Sequence, residues 1–165
     1  MPAILQQLIN DSEGRYFTAE EQAKAMEYAR SLPIRLDAAQ QVEKHEDEIV
    51  RYAVEQLKAR YPRLDTMHER AWSKAMRDFS LVLRYAVHSM ILDDPDLGEE
   101  RLYVWFRTIL GSLGFPPGFV RESYAHVWDG VKQAVSAEAA ALIEPHMRKA
   151  IDILSDFPEP ATVLV

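Results

Sequence analysis

Residues 77–118 read RDFSLVLRYAVHSMILDDPDLGEERLYVWFRTILGSLGFPPG. With the residues just before it, this stretch carries an apolar stripe in which each member follows the last by three or four positions: Trp72, Met76, Phe79, Leu83, Val87 and Met90. That spacing places all six side chains on one face of a long helix. The acidic turn Asp93–Asp96 then leads into a second helix, which Gly114 ends. The stretch therefore predicts two packed helices joined by a tight turn.

The flanking sequence continues the helical pattern in both directions. Upstream, Thr18 and Glu21 form a capping box that predicts a helix over residues 18–31, and Pro33 predicts a break before a second helix that runs to about residue 60. Downstream, Ser136 is placed to cap the last helix. No run alternates like a strand, so we predict an all-α protein of about seven helices with short corners, for which globin-like packing is the natural candidate.

The composition limits the classes of function. The chain has 165 residues, which fits a single domain, and its net charge of -7 argues against nucleic acid as a partner. It has no cysteine, so disulfides, thiolate metal sites and thioether-linked prosthetic groups are excluded. No apolar run is long enough for membrane insertion, no secretion signal is evident, and no Gly-rich phosphate loop or GxSxG motif suggests an enzyme. We expect a cytoplasmic, non-enzymatic protein.

The segment Lys74-Ala75-Met76-Arg77-Asp78 is the most informative place for a binding site. The guanidinium of Arg77 can form a fork with a carboxylate, and the carboxylate of Asp78 can accept hydrogen bonds from N–H groups. A tetrapyrrole offers both partners, in its propionates and its pyrrole nitrogens. The alternative is a solvated ion pair on a helix surface.

The histidines offer a second set of candidates. His88 lies beside the apolar stripe and is expected to be partly buried, either as an axial haem ligand or as a hydrogen-bonded histidine of the core or an interface. His126 and His146 have the same two interpretations. None of the five histidines has the spacing of a zinc or di-iron motif, so we predict no metal site.

The sequence resembles the phycobiliproteins, and in particular the allophycocyanins. Residues 77–118 are similar to that family's pattern of an Arg-Asp helix, an LRY segment, an acidic turn and a Leu-Gly corner before proline, while residues 12–21 (SEGRYFTAEE) and 49–62 (IVRYAVEQLKARYP) are similar to its N-terminal and next core segments. The resemblance implies a globin-like core over residues 46–155. It also implies an N-terminal helical hairpin, residues 1–45, that forms a homodimer, and an irregular tail over residues 156–165.

The resemblance also assigns roles to individual positions. Arg77 and Asp78 match the family's pair that contacts the bilin propionates and pyrrole nitrogens, with Lys74 beside them. Ala75 stands two residues before the arginine, at the position of the family's attachment cysteine, so no covalent bilin is expected. His88 stands where the family often has tyrosine near the subunit contact.

These assignments imply a protein similar to the cysteine-lacking globins associated with bilin biosynthesis. The leading hypothesis is a non-catalytic protein of a photosynthetic microorganism that binds a bilin reversibly, in the cytoplasm or at the cytosolic face of thylakoids through phycobilisomes. One alternative is a pigment-free protein that binds an antenna subunit or a bilin-biosynthesis enzyme. A further alternative is a haem-binding globin that uses His88 or His126.

Overall fold

The computed structural model describes residues 1–67 and 69–161, and every regular element in that part of the chain is helical. The all-α class predicted from the sequence is therefore confirmed. A π-helical turn, Glu99–Tyr103, leads directly into the fifth helix. The α-helices are α1 (Ala3–Ser12), α2 (Ala19–Arg60), α3 (Leu64–Met67), α4 (Ala71–Leu92), α5 (Val104–Ser112), α6 (Pro117–Ala134) and α7 (Ala137–Leu154).

Local signals in the sequence set several helix ends. Thr18 Oγ1 accepts a hydrogen bond from the Glu21 amide at 3.2 Å, and the Thr18 amide donates to Glu21 Oε2 at 2.7 Å, so the predicted capping box is formed. Ser136 caps α7 by accepting from the Ala139 amide at 3.2 Å. Gly114 follows α5 with a φ of 77°, a left-handed conformation that suits glycine. These three predictions are confirmed.

The predicted break at Pro33 is wrong, because α2 continues through it from Ala19 to Arg60. Tertiary contacts on both sides of the proline hold the helix in place. Tyr28 donates its hydroxyl to the Ile91 carbonyl at 3.2 Å, while Arg35 hydrogen-bonds the Met90 carbonyl and pairs with Asp93 at 2.8 Å. These bonds tie α2 to the last turn of α4 and offset the cost of an interior proline, which is about 3 kcal/mol.

The core forms where α2 crosses α6 and where α4 packs against α2 and α7. Phe79, Leu83, Val87 and Met90 of the predicted stripe are buried, and the remaining two members are partly buried against the same cluster. Gly130 of α6 lets the two crossing helices approach closely, since a Cβ there would lie 3.0 Å from the Ile49 carbonyl oxygen. One continuous core thus positions the face of α4 that carries the candidate site.

The predicted hairpin and the predicted tail lie at the two ends of the chain. The boundary predicted at residue 45 falls inside α2, so no change of element marks it, and the division of the chain into hairpin and core stays a prediction. Residues 156–161 contain no helix, while residues 162–165 of the predicted tail lie outside the described residues. None of the described helices combines the length and apolar character that a membrane crossing requires.

Candidate functional site

The structure contains an apolar cleft between α4, α5 and α6, and we call it the α4–α6 cleft. Its volume is about 420 Å³, which lies within the range of small-molecule sites. Aliphatic and aromatic side chains predominate in its lining: Leu57, Leu64, Ala71, Trp72, Phe79, Leu81, Trp105, Phe106, Ile109, Leu110, Leu113, Phe115, Phe119 and Val120. A ligand held here would be recognised mainly by burial of its apolar surface, with few polar contacts.

The four candidate site residues on α4 all line this cleft: Lys74, Ala75, Arg77 and Asp78. Lys74 and Arg77 are exposed, whereas Ala75 and Asp78 are half-buried. The positions of Lys74, Ala75 and Asp78 differ by one, three or four residues, which places them together on one side of the helix. The structure therefore brings the predicted residues to the edge of an apolar cavity.

Arg77 and Asp78 are bound to each other. The Nε and one terminal nitrogen of Arg77 donate to the same carboxylate oxygen, Asp78 Oδ1, at 3.0 and 2.9 Å. The Arg77 side chain is 75% exposed and that of Asp78 is 21% exposed. An ion pair with one partner so exposed contributes little to folding, about 0–1 kcal/mol. The second carboxylate oxygen, Oδ2, has no protein donor among the described residues.

Aromatic rings shape the interior of the cleft. Phe79 of α4 meets Tyr124 of α6 edge to face, with ring centroids 5.3 Å apart. Phe119 stacks on Phe115 at 5.2 Å and meets Tyr61 edge to face at 5.0 Å. Such contacts fix the ring positions, so the walls of the cleft are formed by the fold itself.

Tyr124 is a polar residue of this interior that the sequence interpretation did not single out. Its side chain is 2% exposed, and its hydroxyl makes no hydrogen bond within the described part of the chain. Burial raises the pKa of the Tyr124 phenol well above its usual value, and the negative charge of Asp78 raises this pKa further. The phenol therefore remains a protonated hydrogen-bond donor at neutral pH.

The rim on the α5 side is apolar and open. Trp105, Ile109 and Leu113 follow each other at intervals of four residues, and each is between 42% and 50% exposed. They line the α4–α6 cleft and continue its apolar surface outward. The regular spacing is visible in the sequence, but only the fold shows that this face is left uncovered.

His88 does not belong to this site. It is exposed, so the expectation of partial burial is wrong, and it lines a separate groove of about 670 Å³ between α2 and α4. The groove mixes acidic and basic side chains, including Glu46 and Arg84, which pair at 2.6 Å. His88 faces this groove because it follows the buried Val87 by one residue, or about 100° around α4.

His126 and His146 also lie outside the lining of the cleft. His126 carries a buried Nδ1 without a hydrogen-bond partner, and its Nε2 lies 3.7 Å from Glu122 Oε1. His146 is buried on α7, and desolvation lowers its pKa. Within residues 1–67 and 69–161, no group of three or more histidine, aspartate or glutamate side chains is placed to hold a metal ion.

Comparison with known proteins places this geometry in context. Residues 7–154 match the family model described as phycobilisome protein. The allophycocyanin subunit beta-18 of Picosynechococcus sp. is 27% identical over 136 residues, which cover 79% of this chain and 80% of that protein. The allophycocyanin beta chain of Cyanidium caldarium is 24% identical over 151 residues, or 89% of each chain. The allophycocyanin subunit beta-18 of Synechocystis sp. is 30% identical over 113 residues, 66% of this chain and 67% of its own.

Proposed function

Because this chain belongs to the phycobilisome protein family, we propose that it is a non-catalytic protein of the phycobilisome or of bilin metabolism that binds a bilin reversibly. Its all-α, globin-like fold is that of the family. The observation that carries the proposal is that Ala75, Arg77 and Asp78 line one apolar cleft. Ala75 stands at the position that the resemblance gives to the family's attachment cysteine. A cytoplasmic location at the thylakoid surface, through phycobilisomes, is part of the proposal.

The residues of the cleft suit a tetrapyrrole. Burial of about 200–300 Å² of apolar ligand surface contributes about 5–8 kcal/mol, which offsets the free-energy cost of losing the ligand's translational and rotational freedom. Arg77 is mostly exposed and would hold a propionate, while the free Oδ2 of Asp78 would accept from an N–H group. The bilin itself would supply absorption of visible light. A site with these contacts and no thiol favours exchangeable binding.

Titration with biliverdin tests the proposal. We expect the purified protein to shift the absorption spectrum of biliverdin and to gain thermal stability, because a ligand that binds only the native state raises the melting temperature. A biliverdin spectrum and a melting temperature that both stay unchanged at saturating pigment would contradict reversible bilin binding.

We expect Arg77→Gln to weaken biliverdin binding about 5- to 10-fold, since it removes a charge-assisted hydrogen bond to a propionate from an exposed position. The matched control is Arg148→Gln on α7, which removes an arginine of similar exposure from an intrahelical ion pair with Glu144, outside the cleft. Fluorescence titration gives both dissociation constants. Equal dissociation constants for the two variants would show that Arg77 does not contact the pigment.

A second candidate function is protein binding through the N-terminal segment. Several apolar side chains of α1, α2 and their connection are strongly exposed, a feature typical of interaction surfaces. We propose that residues 1–45 mediate an isologous homodimer, or bind a phycobiliprotein subunit or a bilin-biosynthesis enzyme. The exposed side chains are Ile9, Tyr16, Met26, Ile34 and Leu36.

We expect Ile34→Glu to dissociate the dimer, because it places a charge within an apolar contact. Ile34 is 61% exposed, so the substitution leaves the core intact. Sedimentation velocity compares the variant with Val104→Glu, which puts the same charge on an exposed apolar position of α5. A dimer that survives Ile34→Glu, or that Val104→Glu disrupts equally, contradicts the proposed contact. If Arg77→Gln leaves partner binding intact while biliverdin fails to bind, the pigment-free function is favoured.

The haem-binding alternative has less support. Neither His88 nor His126 lines the α4–α6 cleft, so a haem placed there would have no imidazole ligand from these two residues. A haem titration that produces a Soret band lost in His88→Ala would favour this alternative over the bilin.

A further inference from the structure

The turn that follows α7 packs against the back of α5. Phe157 is partly buried against the core, and its Cδ2 lies 3.3 Å from the position that a Cβ on Gly111 would occupy. Arg107, one helical turn before Gly111, pairs with Asp156 at 3.2 Å. The Asp156 amide donates to the Ile153 carbonyl at 3.2 Å, which fixes the turn to the end of α7. We call the contact of Asp156 and Phe157 with α5 the tail brace.

The tail brace and the α4–α6 cleft lie on opposite sides of α5. Trp105, Ile109 and Leu113 line the cleft. Arg107 and Gly111 do not line it, and they lie about 160° around the helix axis from that row, because successive residues of a helix are turned by about 100°. The tail brace therefore contacts this wall of the cleft from behind, without contacting a ligand.

The principal neighbours of α5 are the π-helical turn, Glu99–Tyr103, and α7. Neither α4 nor α6 approaches the α5 backbone as closely, since the cleft lies between them. The π-helical turn precedes α5, and Gly114, with a φ of 77°, follows it, so both ends of α5 depart from α-helical geometry. The position of this wall therefore depends on the contacts behind it.

We propose that Phe157 is a positioning residue for the α4–α6 cleft. By packing behind α5, it holds this wall at the distance from α4 at which a ligand contacts both helices. A cavity whose walls are already in place binds its ligand without the cost of ordering them. Asp156 is 82% exposed, so its ion pair contributes the smaller share of the tail brace. The effect on pigment binding rests on the proposed bilin function, whereas the tail brace itself does not.

Hydrogen exchange of the ligand-free protein tests the tail brace. We expect Phe157→Ala to speed amide exchange in α5 about 10-fold and to leave α2 and α6 unchanged, because local opening lowers protection only where contacts are lost. Val135→Ala is the matched control, since Val135 is also a partly buried apolar residue directly after a helix and does not line the cleft. Phe157→Leu, which keeps a large apolar side chain, should restore most of the protection.

Gly111→Ala tests the same contact from the α5 side. The three atoms nearest to the new Cβ all belong to the Phe157 ring. We therefore expect the substitution to speed exchange in α5 of the parent, and to leave it unchanged or slow it in the Phe157→Ala background, where alanine only favours the helix. Equal effects in both backgrounds would show that the two residues are not coupled, and would contradict the tail brace.

Biliverdin titration measures the effect on the cleft. We expect Phe157→Ala to raise the dissociation constant about 5-fold and to change the visible circular dichroism of the bound pigment, because the α5 wall no longer holds it in one conformation. Val135→Ala should change neither. By reciprocity, biliverdin should slow amide exchange at residues 156 and 157 of the parent.

The outcomes separate the two proposals. If the parent binds biliverdin and Phe157→Ala binds it with the same dissociation constant, the positioning role is overturned and the bilin function stands. If Phe157→Ala leaves exchange in α5 unchanged, the tail brace is overturned, whatever the pigment does. If the parent fails to bind biliverdin, the bilin function is overturned, and 8-anilinonaphthalene-1-sulfonate replaces it as the probe of the apolar cleft. Weaker binding of this dye by Phe157→Ala then supports the positioning role, and equal or absent binding overturns it.

Discussion

Ala75→Cys is expected to convert a protein that releases its bilin on denaturation into one that retains it. Ala75 is half-buried and lines the α4–α6 cleft one helical turn before Asp78, so a thiol there would lie at the ligand surface. Addition of the thiol S–H across the exocyclic double bond of phycocyanobilin forms a C–S bond and places the hydrogen on the neighbouring carbon, without an oxidant. We expect about one pigment per chain in denaturing mass spectra, against none for the parent.

The cysteine-free background makes this result unambiguous. Since the parent has no cysteine, the introduced thiol is the sole thioether site. Ser73→Cys is the matched control, because Ser73 is exposed on the same helix two residues away and is not among the residues that line the cleft. Equal labelling of both variants would indicate nonspecific reaction of the pigment. Labelling of neither would show that a ligand in the cleft does not approach Ala75.

Most of the fold follows from local signals in the sequence. The stripe on α4, the Thr18 capping box and the Gly114 helix end each depend on residues within a few positions of one another, and all three are confirmed. Pro33 is the instructive failure. Its local preference is overridden by Tyr28 and Arg35, which bind backbone groups at the end of α4, 55 to 63 residues away in sequence.

The candidate site likewise contains residues that local sequence places together and a residue that only tertiary packing places there. Lys74, Ala75, Arg77 and Asp78 belong to one segment of one helix, so their common location at the cleft could be anticipated. The place of Tyr124 in the cleft could not be anticipated, because it depends on the packing of α6 beside α4. The error at His88 arose because a neighbour of a buried residue was expected to share its environment, whereas adjacent residues of a helix point about 100° apart.

Gly130→Ala is expected to destabilise the protein by about 1 kcal/mol, the difference between a core-overpacking cost of about 2 kcal/mol and the helix propensity that alanine gains over glycine. The new Cβ would lie 3.0 Å from the Ile49 carbonyl oxygen and 3.2 Å from Ile49 Cγ2. The carbonyl belongs to the backbone of α2, so relief requires the two helices to move apart. Alanine gains about 1 kcal/mol of helix propensity over glycine, which offsets part of this cost. The melting temperature should fall by about 2–4 °C.

Gly118→Ala separates packing from propensity, because it makes the same substitution in the same helix. A Cβ at Gly118 has no atom within 4 Å, so only the propensity gain remains there. We therefore expect a stability increase of up to about 1 kcal/mol, reduced by its place in the first turn of α6. Urea unfolding of both variants measures the difference. Changes of the same sign would mean that the α2–α6 crossing yields to one added methyl group, and that Gly130 does not set the distance between these helices.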